Sequence, residues 1–192
     1  MAESSVIPLL LVPGWLNSGP EHWQSRWQRV RPDMGRVTFG EWQDPEPQAW
    51  TEDLRKAVLA CAQPPVLIAH SLGCLATANV MALPSPPPIS GAMLVAPPDP
   101  GRPDAPMEIA AFAPPARARF HVPGMVVISS NDPYAGEAFS LNLAKAWGLE
   151  VVQLGRCGHI NDQSGYGDWP EGMLLLERFL EGLARPRIRG RP

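Results

Sequence analysis

Cysteine is scarce in this 192-residue chain, and Cys61, Cys74 and Cys157 form an odd set without metal-ligand spacing. That excludes a disulfide framework and points to a reducing compartment. No window approaches the roughly 18 consecutive apolar residues of a membrane span. Met1-Ala2-Glu3-Ser4-Ser5 also lacks a basic segment leading into a long apolar one. A soluble cytoplasmic protein with no membrane association is therefore expected. Phosphate-binding glycine loops, dinucleotide fingerprints and metal-ligand clusters are missing too, so neither a cofactor nor a metal is implied. Positive charge is short as well. The formal net charge is −3, but Arg185, Arg187, Arg189 and Arg191 sit in one terminal stretch with Pro186, Gly190 and Pro192; without them 12 basic residues face 19 acidic ones. A body that acidic argues against nucleic-acid binding. Residues 185–192 read as a disordered, solvated tail, and residues 1–184 as one domain large enough to bury a real core.

Proline, by contrast, is abundant, but it clusters at 84–88, 97–106 and 114–123 and so marks loops between elements. Between those loops, short apolar runs alternate with helix-period segments. Strands are expected at 6–12, 36–40, 66–70, 91–96, 125–129 and 150–154. Helices are expected from Pro20, with Trp23, Trp27 and Val30 on its buried face, then over 47–62, from Leu72 to about Leu83, over 135–147 with Gly148 as C-cap, and over 170–183. A short helix is expected at 107–112. The alternation indicates a mostly parallel sheet of about six strands with helices on both faces. Ligands of such sheets sit beyond the carboxyl ends of the strands. Segments 13–16, 69–72, 130–134 and 157–160 converge on that edge.

Val66-Leu67-Ile68-Ala69-His70-Ser71-Leu72-Gly73-Cys74 reads as strand, sharp turn and helix, with Ser71 at the turn. Small residues are needed two before and two after the serine, where strand and helix backbones nearly touch; Ala69 and Gly73 supply them, although glycine is usual at both places. A serine there could simply cap the helix. The nucleophile reading gains from what else meets this edge, because a serine hydroxyl needs a base to take its proton. His159 alone of the four histidines follows the last strand. His22 and His121 are rivals by position, and His70, beside the serine on a strand, faces the opposite way. Asp132, just after the fifth strand, can orient the imidazole, although Asn131-Asp132-Pro133-Tyr134 is also good turn chemistry. The chain order Ser71, Asp132, His159 is that of an α/β-hydrolase triad. Oxyanion donors are expected from the N–H groups of Leu72 and Trp15. Gly14, His70, Tyr134 and Ile160, with Trp15, are expected to line an open, shallow substrate pocket.

Five stretches carry a resemblance across roughly residues 6–182. They are Val12-Pro13-Gly14-Trp15 followed by His22-Trp23, the turn Ala69 to Gly73, Leu94 to Asp99, Ser129-Ser130-Asn131-Asp132-Pro133-Tyr134, and Gly158-His159-Ile160-Asn161 followed by Ser164 to Gly167. Through them the chain resembles the small serine hydrolases of the retinoblastoma-binding protein 9 and YdeN family. The resemblance implies a compact α/β-hydrolase fold without a large lid, a triad on Ser71, Asp132 and His159, and esterase-type activity on a small ester, thioester or amide. The pocket-protein-binding motif associated with that family name has no intact match, since Leu59-Ala60-Cys61-Ala62-Gln63 lacks the final acid. The partner expected is a small acyl substrate, and no protein partner is indicated. The alternative is a catalytically weak protein of the same fold acting through the surface at 97–120.

Overall fold

The apolar run Leu9-Leu10-Leu11-Val12 has no side chain that favours water, and it forms a strand, β1 (Leu9–Val12), buried at every position. The computed structural model describes residues 7–184; the expected tail at 185–192 and Val6, the first residue of the strand expected at 6–12, lie outside the described residues, and Ile7 and Pro8 precede the strand because Pro8 lacks the N–H that a ladder needs. Five further strands follow: β2 (Met34–Arg36), β3 (Val66–His70), β4 (Gly91–Val95), β5 (Gly124–Ile128) and β6 (Glu150–Gln153). They pair in the order β2-β1-β3-β4-β5-β6, and every pairing is parallel. The central strands β3 and β4 are buried throughout, whereas the edge strand β6 is mostly exposed, with Val151 41% accessible.

Alternation along the strands divides the core into two layers. Leu10, Val12, Leu67, Ala69, Leu94 and Val126 face α2 (Pro47–Leu59), α3 (Leu72–Met81) and α4 (Glu137–Trp147). Leu9, Leu11, Val66, Ile68, Met93 and Val127 face α1 (Trp23–Val30) and α5 (Pro170–Ala184). The short helix expected at 107–112 is a 3-10 turn that buries Ile109 and Phe112. Gly148 ends α4 in the left-handed conformation, φ 69°, as its position suggests.

Three expectations need correction. The second strand lies at 34–36 rather than 36–40. Val37 still donates to the Leu11 carbonyl at 2.9 Å, but the chain then leaves the sheet so that Phe39 can stack on Trp50 with ring centroids 3.9 Å apart. Helix α1 starts at Trp23 rather than Pro20, because the His22 ring serves as its cap, Nδ1 accepting from the Gln24 N–H at 3.2 Å. Val30, at the last position of the helix, is 72% exposed and leaves the stripe to Trp23 and Trp27. A polar residue takes up core space there instead. Gln24 is fully buried, donates from Nε2 to the carbonyls of Ile68 (3.0 Å) and Val12 (3.4 Å), and accepts from the Ser18 hydroxyl at 2.6 Å. An amide that satisfies three partners ties the ends of β1 and β3 to the loop between β1 and α1.

Helix α3 approaches β1 so closely that a Cβ on Gly73 would lie 2.4 Å from the Val12 carbonyl oxygen and 2.5 Å from that of Pro13. Both obstacles are backbone and cannot rotate away. Gly73→Ala should therefore lose about 3 kcal/mol or more of stability, read from urea denaturation, since overpacking that moves backbone lies at the upper end of its usual cost.

His22 is buried, and desolvation together with the nearby Arg36 charge pushes its pKa down to about 3. Between that value and about 6.5 the unfolded chain binds a proton at this residue that the folded chain refuses, so stability falls as pH drops through the window. The His22→Asn variant keeps a capping oxygen and removes the titration. Its stability should decline less steeply than the wild type's over pH 6 to 4, by about 1.4 kcal/mol per pH unit at most, in denaturation series at stepped pH.

Candidate active site

Strand β3 ends at His70 and helix α3 begins at Leu72, which leaves a single residue to make the turn. Ser71 makes it at φ 52° and ψ −127°, a conformation that costs a non-glycine residue on the order of 1–3 kcal/mol. Its N–H donates to the Val95 carbonyl at 2.9 Å, which anchors the turn to β4. The reading of Ser71 as a helix cap finds no support, since its side chain makes no capping hydrogen bond.

The other two groups arrive from neighbouring strands. Asp132 follows β5 and His159 follows β6. The two carboxylate oxygens of Asp132 lie 2.9 and 3.0 Å from His159 Nδ1, and both side chains are almost entirely buried. A carboxylate only accepts, so Nδ1 carries the hydrogen and the Nε2 lone pair is left free. Nε2 lies 2.9 Å from the Ser71 hydroxyl, which donates to it. Hydroxyl, imidazole and carboxylate thus form one continuous chain, in the register that proton transfer from oxygen to nitrogen requires.

Side chains that sequence reasoning passed over hold the two loops in place. Ser129 Oγ accepts from the Cys157 N–H at 2.9 Å, and Asn131 Oδ1 accepts from the Gly158 N–H at 2.9 Å and from the Ser129 hydroxyl at 3.0 Å. Ser164 Oγ accepts from the His159 N–H at 3.0 Å and donates to Asn161 Oδ1 at 2.8 Å. Gly158 sits at φ 56°, and a Cβ there would lie 2.5 Å from Ser164 Oγ. All five residues fall in stretches that carry the family resemblance, but the bonds of Ser129 and Asn131 to Cys157 and Gly158, 28 and 27 residues away, are tertiary facts without a local pattern.

The serine opens into a cavity of about 300 Å³. Gly14, Trp15, Leu72, His70 and Tyr134 line it, and the 97–124 segment contributes Pro98, Pro106 and Ile109. Trp15 is oriented by its indole N–H, which donates to the Gln43 carbonyl at 3.0 Å. The Tyr134 ring meets His159 edge-on at 4.5 Å between centroids. Ile160 does not belong to the lining. It is fully buried against Trp23 and Trp169 on the α1/α5 side, because the loop reverses at Gly158 and Ile160 (φ 49°) and turns that side chain inward. Asn161, Asp162 and Gln163 take the place expected for it.

Of the rival histidines, His121 is exposed and is not among the lining residues, and His22 is committed through Nδ1 to capping α1. His70 is not turned away from the serine's surroundings, as strand alternation alone suggests, but is part of the cavity wall. Its ring lies between His22 and His159, 4.6 and 4.9 Å away, and its Nε2 is 2.9 Å from the His159 carbonyl oxygen. Burial, reinforced by the two neighbouring imidazoles, holds its pKa well below the ordinary value and keeps it neutral. Among the described residues no cluster of three or more His, Cys, Asp or Glu could hold a metal ion, and no helix is long and apolar enough to cross a membrane.

Comparison with known proteins bears on the family and the fold. The family model described as serine hydrolase matches residues 9–178. A solved structure described as a YdeN-like hydrolase from Pectobacterium atrosepticum is 35% identical, with 92% of each chain covered and a TM-score of 0.82. The ydeN gene product of B. subtilis shares the fold at 19% identity, with 92% of this chain and 100% of that one covered and a TM-score of 0.75. Mouse alpha/beta hydrolase domain-containing protein 10 shares it at 13% identity, with 92% and 90% covered and a TM-score of 0.68. No curated protein sequence matches. The family resemblance read from the motifs, the six-stranded parallel sheet and the matched span agree, and the chain belongs to the serine hydrolase family as an enzyme of the α/β-hydrolase fold.

Proposed function

We propose that the protein hydrolyses small esters, thioesters or amides through an acyl-enzyme formed on Ser71. The observation that carries this reading is the unbroken hydrogen-bonded series from the Asp132 carboxylate through His159 to the Ser71 hydroxyl, each step about 2.9 Å. As Ser71 Oγ attacks the substrate carbonyl carbon, His159 Nε2 takes the hydroxyl proton and becomes an imidazolium, stabilised by Asp132. The oxyanion then needs donors. The Leu72 N–H stands at the first turn of α3, where the helix leaves its amides unpaired and the dipole favours negative charge. In the loop after β1 the N–H groups of Leu16 and Asn17 are already given to the Trp42 and Gly14 carbonyls, and the neighbouring N–H of Trp15 serves as the second donor. The tetrahedral adduct collapses as His159 returns its proton to the leaving oxygen, sulfur or nitrogen. A water molecule, deprotonated by the same imidazole, then releases the acid and frees Ser71.

The cavity favours small acyl groups, because Pro98, Pro106 and Ile109 close one side of a space of about 300 Å³. Its volume is at the lower limit of ordinary small-molecule sites. The three free cysteines fit the cytoplasmic setting expected from the sequence.

A fluorophosphonate probe should label the wild type at Ser71 and leave Ser71→Ala unmodified; equal labelling of the two, read by mass spectrometry, refutes the assignment. Asp132→Asn preserves the shape of the site but removes the acceptor that selects the reactive tautomer. Its kcat toward 4-nitrophenyl esters of short acids should fall by roughly 10³–10⁴-fold with little change in KM.

A further inference from the structure

His159 is held at three of its polar positions. Its N–H is taken by Ser164 in its own loop, its Nδ1 by Asp132 from the loop after β5, and its carbonyl oxygen by His70. The third bond differs in kind. His70 is the last residue of β3 and adjoins Ser71, so a single side chain links the strand that carries the serine to the backbone of the residue that carries the imidazole. The two residues are 89 positions apart, and this is the one direct side-chain hydrogen bond from β3 to the His159 backbone among the described residues. A carbonyl oxygen cannot donate, so the hydrogen belongs to His70 Nε2.

We propose that His70 is a positioning residue for the reaction: by donating to the His159 carbonyl it fixes the distance between the imidazole and the Ser71 hydroxyl. The inference rests on the triad reading above and adds to it a group that touches no reacting atom. Two features suit His70 to the task. Its buried ring packs against those of His22, Trp23 and His159, with centroids 4.6, 5.8 and 4.9 Å away, which restricts its rotation away from the carbonyl. Burial also keeps it neutral, so no second positive charge opposes the imidazolium that forms 4.9 Å away during turnover. A cationic donor such as lysine would make the same hydrogen bond and destabilise that imidazolium.

The test uses the full chain, 4-nitrophenyl esters of short acids, and three variants with a Ser71→Ala control. His70→Phe keeps an aromatic ring without the donor, His70→Met fills the space without either, and His70→Gln presents an amide N–H near the position of Nε2. The two donor-free variants should lose about ten- to a hundredfold in kcat with KM within about threefold of wild type, as expected for a displaced base. The glutamine variant should recover kcat to within about threefold. The low-field proton resonance between His159 and Asp132 should broaden or disappear in the first two and persist in the third, whereas a purely structural role would leave it unmoved. In the wild type, ring nitrogen shifts should show His70 protonated at Nε2.

Donor-free variants that retain wild-type kcat and the low-field signal overturn the proposal. So does a glutamine variant as slow as the other two, or a wild-type His70 protonated at Nδ1; this last measurement decides the matter if neither donor-free variant folds. Full turnover by Ser71→Ala, or an inert wild type, removes the triad reading itself, and the proposal with it, and is distinguished by that control.

Discussion

The structure depends on how closely the start of α3 crosses the end of β1. The Gly73 Cα sits where the next heavier residue would press on the carbonyl oxygens of Val12 and Pro13, and Gly14 passes so near the serine that a Cβ there would come within 2.7 Å of the Ser71 Cβ. Two glycines therefore let a strand, a helix and a loop occupy one small volume. The positive φ of Ser71 follows from that crowding, because one residue must reverse the chain between a strand and a helix that are already in contact. The same approach brings the β1–α1 loop at Gly14 against the serine, at the N-terminus of α3. Backbone strain and the exposure of the hydroxyl share one packing cause.

On the other side of the site the geometry depends on hydrogen bonds rather than on contact. The loops after β5 and β6 are joined by Ser129 and Asn131, and the His159 loop is braced internally by Asn161 and Ser164. These groups are short, and each satisfies backbone amides that would otherwise be left without partners. Asp132 and His159 are nearly inaccessible to solvent, so their mutual orientation is set in a low-dielectric setting where a displaced hydrogen bond is costly. The arrangement holds His159 by its backbone N–H, its carbonyl and its Nδ1, and leaves Nε2 to the Ser71 hydroxyl.

Much of this was legible in the residue order. The continuous apolar runs of β3 and β4 announced buried parallel strands, and a serine, an aspartate and a histidine after the ends of β3, β5 and β6 pointed to one edge, because in a parallel sheet those ends lie together. What was not legible arose where a residue's role is decided by a distant partner. Gln24 looks like a surface position of an amphipathic helix, yet two strand carbonyls draw it into the core. Val30 has the spacing of a core residue, yet the helix ends under it. Ile160 follows His159 and is expected beside it in the pocket wall, but a positive φ sends consecutive side chains to opposite sides of the loop. Period and propensity describe one element at a time and carry no information about such crossings.

Of the three hydrogen-bonded groups, His159 has the least sheet around it. Ser71 leaves a central strand flanked on both sides, while His159 leaves β6, an edge strand paired to β5 alone and accessible along much of its length. An edge strand frays more readily than a central one, since fewer contacts must break together. Partial opening at this edge would detach the imidazole from an otherwise intact sheet and leave a folded molecule with a dormant serine. A margin of the sheet, rather than its core, thus sets how firmly the imidazole is held.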